Sequence, residues 1–339
     1  MQLQQRINAF DKLGDYLNLL ASSNQPDETA LLENAKAHNG WFNLDNLRFA
    51  LNTWGTALTK SNLDAWVSGY NISEENTKTI AIIMAGNVPL VGFHDFLSVL
   101  ISGHKALVKL SSNDKILLPY LTKKLIEIEP GFEDRIQFTD EKLENFDAVI
   151  ATGSNNSARY FEYYFGKYPH IIRKNRNSVA VLSGNESPED LELLAHDIFR
   201  YFGLGCRNVS KLYLPKNYNF DPFFNAMFSW KKVINDSKYM NNYDYNKAVY
   251  LMSNINLLDN EFLLLKEDNG FSSPISVVFY EYYDTLESVA KDLETNAENI
   301  QCLVSNVGFE DELSFGETQS PSLTDYADGV DTLKFLTEF

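Results

Sequence analysis

Cysteine is scarce in this sequence of 339 residues, which contains only Cys206 and Cys302. Two thiols are too few for the disulfide framework that supports small secreted domains, and they fit a reducing compartment. The chain also lacks an initial basic stretch followed by an apolar run, which a secretion signal would have. We therefore expect a cytoplasmic protein.

Positive charge and long apolar runs are scarce as well. Lys and Arg number 29 against 46 Asp and Glu, which gives a net charge of −17. A sequence-independent nucleic-acid binder needs a basic face, so nucleic acid is not expected as a partner. Small anionic ligands stay open, because a few cations and backbone N–H groups can hold a phosphate. No apolar stretch approaches the length of a bilayer span, so we expect no membrane span.

The hydrophobic pattern divides the chain into four parts. Residues 1–72 have aromatic and apolar residues near helical spacing, which predicts an N-terminal helical layer. From residue 73 onward, short β-branched runs alternate with helical patterns, which predicts an α/β fold with a mainly parallel sheet. We expect one α/β domain over 73–204, a second over 205–320, and a closing segment, 321–339, that returns to the body.

Two polar features lie next to predicted strands: Asn87, and the start of a helix at Ser187. Strands are expected at 79–84, 105–110, 147–152, 178–183, 209–214, 272–283 and 300–306. Asn87 follows the first of them, and ligands of parallel sheets bind at the carboxyl ends of strands, although a turn-forming Asn is common there too. Ser187, with Pro188 and Asp190, predicts the capped start of a helix.

Cys206 lies between a predicted helix and a predicted strand, in the sequence FGLGC. The flanking Gly203 and Gly205 permit unusual backbone angles and the close approach of a ligand. The following Arg207 would favour the thiolate, the nucleophilic form. A buried structural cysteine is the alternative reading, and it is the one that applies to Cys302.

Five motifs in order connect these features: GNVP, VKLSSND, ATGSNNSARY, GLGCRNVSKLYLP and FSSPISVVFY. Together they resemble the aldehyde dehydrogenase superfamily, and within it the acyl-CoA reductase branch that includes the fatty-acid reductases of bacterial luminescence. The closing FGETQSPSLTDYADGVDTLKFL fits the same branch. The resemblance implies an aldehyde-dehydrogenase-like fold, with NAD(P) binding in 73–204 and catalysis in 205–320.

The resemblance also implies roles for individual residues. Cys206 matches the nucleophile, and Asn87 matches the amide that donates to the oxyanion. The implied cofactor contacts are Lys109, Ser111, Ser112, Gly153 and Ser154, the last two under the pyrophosphate at a helix N-terminus. Read alone, Lys109 is a surface lysine and Gly-Ser a helix cap. NADPH is favoured because this branch commonly uses it, and NADH stays open.

Two departures from the superfamily are informative. Hydrolytic members have a glutamate that activates water, whereas IIRKNRNSVAVL at that place contains no acidic residue. Thiol exchange with CoA needs less help, because a thiolate is a good leaving group. The absence therefore indicates acyl-CoA chemistry. Leu204 occupies the position at which many relatives have glutamine. This difference concerns the detailed geometry of the cysteine loop and not the nucleophile itself.

The remaining polar clusters have open readings. Arg173, Lys174 and Arg176 would contact CoA phosphates or the 2′-phosphate of NADPH, or they form a solvated basic turn. His94 is expected to pack a helix rather than act in catalysis. No His or Cys pair has metal-ligand spacing, so no metal is expected.

The predicted activity is reduction of an acyl-CoA to the aldehyde through a thioester on Cys206. Reduction of an acyl phosphate, or a non-catalytic nucleotide-binding role, are the alternatives. Relatives of this kind often form homo-oligomers, and some work beside an acyl-transferring protein, so both kinds of partner are expected.

Overall fold

The computed structural model describes residues 1–338, and the chain forms two compact units. The first consists of Met1–Asn175 together with 322–338, and the second of Arg176–Pro321. The predicted α/β fold with parallel sheets and N-terminal helices is confirmed. The division expected between residues 204 and 205 lies inside the second unit, because the sheet of that unit already begins at Asn177.

The N-terminal layer is helical because its apolar residues face one core and its ends have capping signals. Pro26 occupies the first turn of the second helix, while Asn43 and Thr59 cap the third and fourth by accepting backbone N–H bonds. The four helices are α1 (Leu3–Ser22), α2 (Pro26–His38), α3 (Leu44–Ala57) and α4 (Lys60–Val67). Their inner faces are fully buried at positions such as Phe10 and Leu51.

The sheet of the first unit contains five parallel strands. They are β1 (Thr79–Ile83), β2 (Lys105–Lys109), β3 (Ile136–Phe138), β4 (Ala148–Thr152) and β5 (His170–Arg173), in the order β3-β2-β1-β4-β5. The central strands were predicted because they are apolar runs buried on both faces. The short edge strands β3 and β5 were missed, since each has exposed or half-buried positions and no clear period.

Helices α5 (Phe93–Ile101), α6 (Leu117–Ile128) and α7 (Asn155–Phe165) accompany these strands. The end of α5 was anticipated from Gly103, which follows the C-cap and has φ +93°, a conformation that favours glycine.

The segment 322–338 packs against the first unit and contains α12 (Thr332–Thr337). His94 Nε2 lies 3.0 Å from the Leu323 carbonyl, and His104 Nε2 donates to the Leu336 carbonyl at 2.8 Å. The His94 ring packs against Trp66 with the ring centres 5.5 Å apart. The packing role expected for His94 is therefore confirmed.

The second unit has a six-stranded sheet in the order β11-β6-β7-β10-β9-β8. Its strands are β6 (Asn177–Val181), β7 (Val209–Pro215), β8 (Leu257–Asp259), β9 (Leu264–Glu267), β10 (Val277–Tyr283) and β11 (Ile300–Val304). All neighbouring pairs are parallel except β8 with β9.

Four helices belong to this unit: α8 (Pro188–Phe199), α9 (Phe220–Met227), α10 (Ser237–Met252) and α11 (Leu286–Thr295). The capping box predicted at Ser187 and Asp190 is present at the start of α8. Helix α10 has no amphipathic pattern that would predict it, because its apolar residues surround the helix: Tyr239 is buried while Met252 is exposed. Among residues 1–338, no helix is long and apolar enough to cross a bilayer.

Candidate active site

Asn87 lies just beyond the carboxyl end of β1, on an irregular loop that leads into α5. Its side chain is exposed, and none of the hydrogen bonds within residues 1–338 uses its amide. The buried strand β1 ends at Ile83, and the irregular loop begins after that residue. An amide in this position is available to a ligand at the sheet edge.

The predicted cofactor residues of the first unit follow the two strands that flank β1. Lys109 ends β2, pairs in register with Ile83, and donates from Nζ to the Glu141 carbonyl at 2.8 Å. Ser111 and Ser112 occupy the turn after β2. Because these strands are parallel neighbours, Lys109 and Asn87 lie at the same edge of the sheet.

Gly153 and Ser154 occupy the turn from β4 into α7 at that edge. Ser154 caps the helix by accepting the Ser157 backbone N–H at 3.2 Å. A Cβ on Gly153 would lie 2.9 Å from both Phe161 and Ser157 side chains, so the turn is packed directly onto its helix. The exposed first turn of α7 presents N–H groups and the positive end of the helix dipole, which suit an anion.

The loop before Cys206 has an unusual backbone. Tyr201 and Phe202 have φ of +55° and +60°, and Gly203 and Gly205 have φ of +78° and +96°. Two aromatic residues in the left-handed region are strained, and strain of this kind persists only where the surroundings enforce it. Both aromatic side chains are buried, which supplies that enforcement, while Cys206 is half-buried.

Ser178, at the start of β6, fixes the backbone of the cysteine itself. Its hydroxyl donates to the Cys206 carbonyl at 2.9 Å, and its own side chain is fully buried. Sequence analysis missed this contact because Ser178 reads only as a strand residue, and no local signal links it to position 206.

The structure gives Arg207 a partner other than Cys206. Its guanidinium donates to Cys302 Sγ at 3.4 Å, and Cys302 is buried in β11. The structural reading of Cys302 agrees with this position.

The three basic residues near position 174 have different surroundings. Arg173 is only 4% exposed, forms an ion pair with buried Asp95, and donates to Thr332 Oγ1 at 2.8 Å. A phosphate contact by Arg173 would require this pair to open. Lys174 forms an exposed ion pair with Glu162 at 2.9 Å.

Arg176 begins the second unit and donates to the Ile300 carbonyl at 3.1 Å. Phosphate contacts by Lys174 and Arg176 stay predictions. Within residues 1–338, no three His, Cys, Asp or Glu side chains are grouped as metal ligands.

Comparison with known proteins identifies relatives of this chain. Residues 59–223 match the family described as Acyl-CoA reductase (LuxC). The resemblance to acyl-CoA reductases is confirmed. The family is one of oxidoreductases, and the matched segment includes every candidate site residue named above from Asn87 to Cys206.

Two curated relatives are named long-chain acyl-protein thioester reductase. The protein from Aliivibrio fischeri is 24% identical over 44% of this chain and 35% of its own length. That from Photorhabdus laumondii is 22% identical over 40% of this chain and 31% of its own length. The matched region thus spans about a third of each relative.

Solved structures establish the fold. Aldehyde dehydrogenase 21 from Physcomitrella patens aligns over 90% of this chain and 73% of its own, with a TM-score of 0.65 and 16% identity. An indole-3-acetaldehyde dehydrogenase from P. syringae, solved with NAD⁺, aligns over 92% and 74%, with a TM-score of 0.69 and 12% identity. The aldehyde-dehydrogenase-like fold predicted from the five motifs is therefore confirmed.

Proposed function

We propose that this protein reduces an acyl thioester, with acyl-CoA as the donor, to the aldehyde through a thioester on Cys206. The observation that supports this most directly is the strained loop Tyr201–Gly205, which holds a half-buried thiol in a chain similar to acyl-CoA reductases. A reactive cysteine needs a fixed and accessible sulfur, and a strained loop that ends at a half-buried cysteine supports that role.

The chain's own residues would act as follows. The Cys206 thiolate attacks the thioester carbon, and the CoA thiolate leaves, so one C–S bond forms as another breaks. The Asn87 amide and the Cys206 backbone N–H donate to the carbonyl oxygen while it is negatively charged. A donor of this kind contributes about 3 kcal/mol to lowering the barrier. After reduction, the C–S bond to Cys206 breaks, which frees the aldehyde and regenerates the thiolate.

A nicotinamide cofactor, when bound, supplies the hydride that reduces the thioester carbon. The residues present fit such a group, because the first turn of α7 is exposed and Gly153 lets the turn pack closely on its helix. Lys109, Ser111 and Ser112 would contact the adenosine half, and Gly153 and Ser154 the pyrophosphate. We favour NADPH, with NADH as the alternative.

The segment from β5 to β6 favours transfer over hydrolysis. It contains Arg173, Lys174 and Arg176 but no carboxylate, so it offers no base to activate water. An acyl group on Cys206 would then persist until a thiol or a hydride removes it. Oxidation of a free aldehyde to an acid is disfavoured as well, because that reaction also needs a base to activate water.

Two other functions stay open as outcomes of the tests. One is reduction of an acyl phosphate, which also needs no water-activating base. The other is a non-catalytic role in which the chain binds nucleotide or a protein. The curated relatives are named for acyl groups bound to protein, and an acyl-transferring protein partner is part of the proposal. Self-association as a homo-oligomer is a further expectation.

The test is intact-mass spectrometry after mixing the protein with decanoyl-CoA in the absence of nucleotide. We expect one added decanoyl group, which disappears as decanal forms when NADPH or NADH is added. Cys206→Ala should form no adduct, whereas the matched control Cys302→Ala should form it normally, because Cys302 is buried in a strand. Absence of an adduct with acyl-CoAs of any chain length would contradict the proposal.

The alternatives are separated by the same assay with decanoyl phosphate in place of the CoA ester. Acylation by the phosphate alone would indicate an acyl-phosphate reductase. If neither donor acylates Cys206, and acyl-CoA does not protect it from labelling by iodoacetamide, the non-catalytic role is supported.

A further inference from the structure

Two buried polar side chains outside the predicted site bond to the loop that contains Asn87. Asn39 Nδ2 donates to the Gly86 carbonyl at 2.9 Å, directly before Asn87. Asp114 Oδ2 accepts the Leu90 backbone N–H at 3.2 Å, three residues after it. Asn39 is the C-cap residue of α2, and Asp114 follows β2, so the loop is held from two separate elements.

Both side chains are themselves fixed. Asn39 is 5% exposed, and its Oδ1 accepts the Trp41 backbone N–H at 2.9 Å, which sets the direction of its amide. Asp114 is 8% exposed, and its backbone N–H donates to the Ser111 carbonyl at 3.2 Å. Its second oxygen, Oδ1, is buried without a hydrogen bond inside residues 1–338. Neither side chain can rotate away without leaving a buried polar group unpaired.

The loop between these bonds needs to be held. Leu90 has φ +58°, which is rare for a residue with a branched side chain, and it is 3% exposed. Gly86 is pressed against the turn after β2, where an added Cβ would lie 2.6 Å from the Ser111 side chain. A strained backbone keeps its shape only when its neighbours determine it, and the Asp114 bond acts on the strained residue itself.

We propose that Asn39 and Asp114 are positioning residues for Asn87, so that the exposed amide is already directed when an acyl group arrives. The inference rests on the proposed role of Asn87 as an oxyanion donor. Hydrogen-bond donors that act on a transition state are effective only when they need no reorganisation, and small misplacements are costly. Among the described residues 1–338, no hydrogen bond fixes the exposed Asn87 side chain, so its direction depends on the backbone.

Isosteric substitutions test this, because only the one at Asn39 should remove a hydrogen bond to the loop. Asn39→Asp replaces the donor by an oxygen that faces the Gly86 carbonyl, while the bond from Trp41 is kept. The rate of Cys206 acylation by decanoyl-CoA should fall about 10- to 100-fold, with KM for the nucleotide nearly unchanged. Asp114→Asn keeps an oxygen for the Leu90 N–H and places its amide where Oδ1 has no bond, so the rate should stay within about threefold.

A double-mutant cycle with Asn87→Ala separates positioning from a general structural role. Asn87→Ala alone should cost about 100-fold, and Asn39→Asp should then add less than about threefold, because it acts only through the missing amide. Tyr16→Phe is the control: it removes a 2.6 Å hydrogen bond between Tyr16 and Tyr120 in the same unit, away from the loop. Its acylation rate should match that of the wild type.

Hydrogen exchange of the Leu90 amide gives a readout that needs no activity. Asp114→Ala should accelerate this exchange at least tenfold, and Asp114→Asn should not. If Asn39→Asp does not fold, Asn39→Ala replaces it in the cycle.

Additive losses in the cycle, or an unchanged rate in the folded Asn39 variants, would overturn the positioning role while leaving the proposed function intact. A wild-type protein that is never acylated would instead contradict the proposed function.

Discussion

The two compact units hold their candidate functional residues by different means. In the first, Asn87 lies on a loop bonded by the buried side chains of Asn39 and Asp114. In the second, Cys206 follows a loop with four left-handed residues, Tyr201, Phe202, Gly203 and Gly205, and an extended Leu204. Polar side chains from other elements hold the first loop, whereas burial of the Tyr201 and Phe202 side chains holds the left-handed backbone of the second. Polar substitutions should therefore disturb the first loop, and substitutions of glycine should disturb the second.

The largest effect is expected at Cys206 itself. Cys206→Ser should lower aldehyde formation by more than about 10³-fold, because a serine hydroxyl without an adjacent base is a poor nucleophile. Aldehyde formation with decanoyl-CoA and NADPH measures this. Residual activity above a tenth of the wild-type value would show that the sulfur is not the nucleophile. The second unit should remain folded, since Cys206 is only half-buried.

The next effect concerns polar support in the first unit. Arg173→Met removes one partner of the buried ion pair with Asp95 and should lower the free energy of unfolding by about 3–5 kcal/mol. Urea unfolding measures the change. The double variant Arg173→Met/Asp95→Leu is the control, and it should recover most of the loss because no charge is then left unpaired. A double variant as unstable as the single one would contradict this account.

A smaller, pH-dependent effect compares a buried aspartate from each unit. Burial raises the pKa of Asp114 in the first unit to about 6, and burial raises that of Asp197 in the second unit to about 6. Asp197 accepts the backbone N–H of Gly316 at 2.7 Å, as Asp114 accepts that of Leu90. The folded pKa of each aspartate lies above the unfolded value of about 3.9. Each aspartate therefore contributes to the free energy of unfolding at low pH, and this contribution is lost as the pH rises through about 6.

Asp114→Asn and Asp197→Asn should therefore each remove about 2–3 kcal/mol of the stability change between pH 4 and pH 7. Urea unfolding of each variant and of the wild type at several pH values gives the difference in their free energies of unfolding. The contributions of other titrating groups cancel in that difference. Equal pH slopes in variant and wild type would show that the carboxylate is not shifted. Neither substitution should change the rate of Cys206 acylation by more than about threefold, because Asp114→Asn keeps an oxygen for the Leu90 backbone N–H.

The smallest effect on stability is expected at two glycines of the second unit. These glycines test most directly whether the cysteine loop depends on its backbone conformation. Gly205 and Gly308 have φ of +96° and +93°, so an alanine at either should cost about 1–2 kcal/mol. Only Gly205→Ala should also slow Cys206 acylation, by about tenfold or more, because it distorts the loop before the sulfur. Equal melting temperatures with equal acylation rates would show that the cysteine loop needs no special backbone.

Much of the fold followed from local pattern. The central strands, such as Thr79–Ile83 and Val209–Pro215, are rich in apolar residues, and this composition predicts burial on both faces. The capped start of α8 at Ser187 followed from local chemistry as well. The edge strand His170–Arg173 and the helix Ser237–Met252 did not, because their apolar residues have no single face.

The candidate site shows the same limit. Asn87 was singled out because it follows a predicted strand, whereas Lys109 and Gly153 were predicted only from the resemblance to the superfamily. The parallel order of the strands places all three residues at one edge of the sheet. The burial of Arg173 was not expected, since its partners Asp95 and Thr332 are distant in the chain. Ser178, Asn39 and Asp114 were missed for the same reason.

The class of fold, the positions of the main strands along the chain, and the places where Asn87 and Cys206 leave regular structure could therefore be predicted from the sequence. These depend on short-range period and on glycines, which neighbouring residues fix. Which polar side chains reach those loops depends on the packing of distant elements. Asn39 lies 47 positions from the carbonyl it binds, and Ser178 lies 28 from its own partner. Such bonds form only after packing brings distant elements together and excludes the water that would otherwise satisfy them.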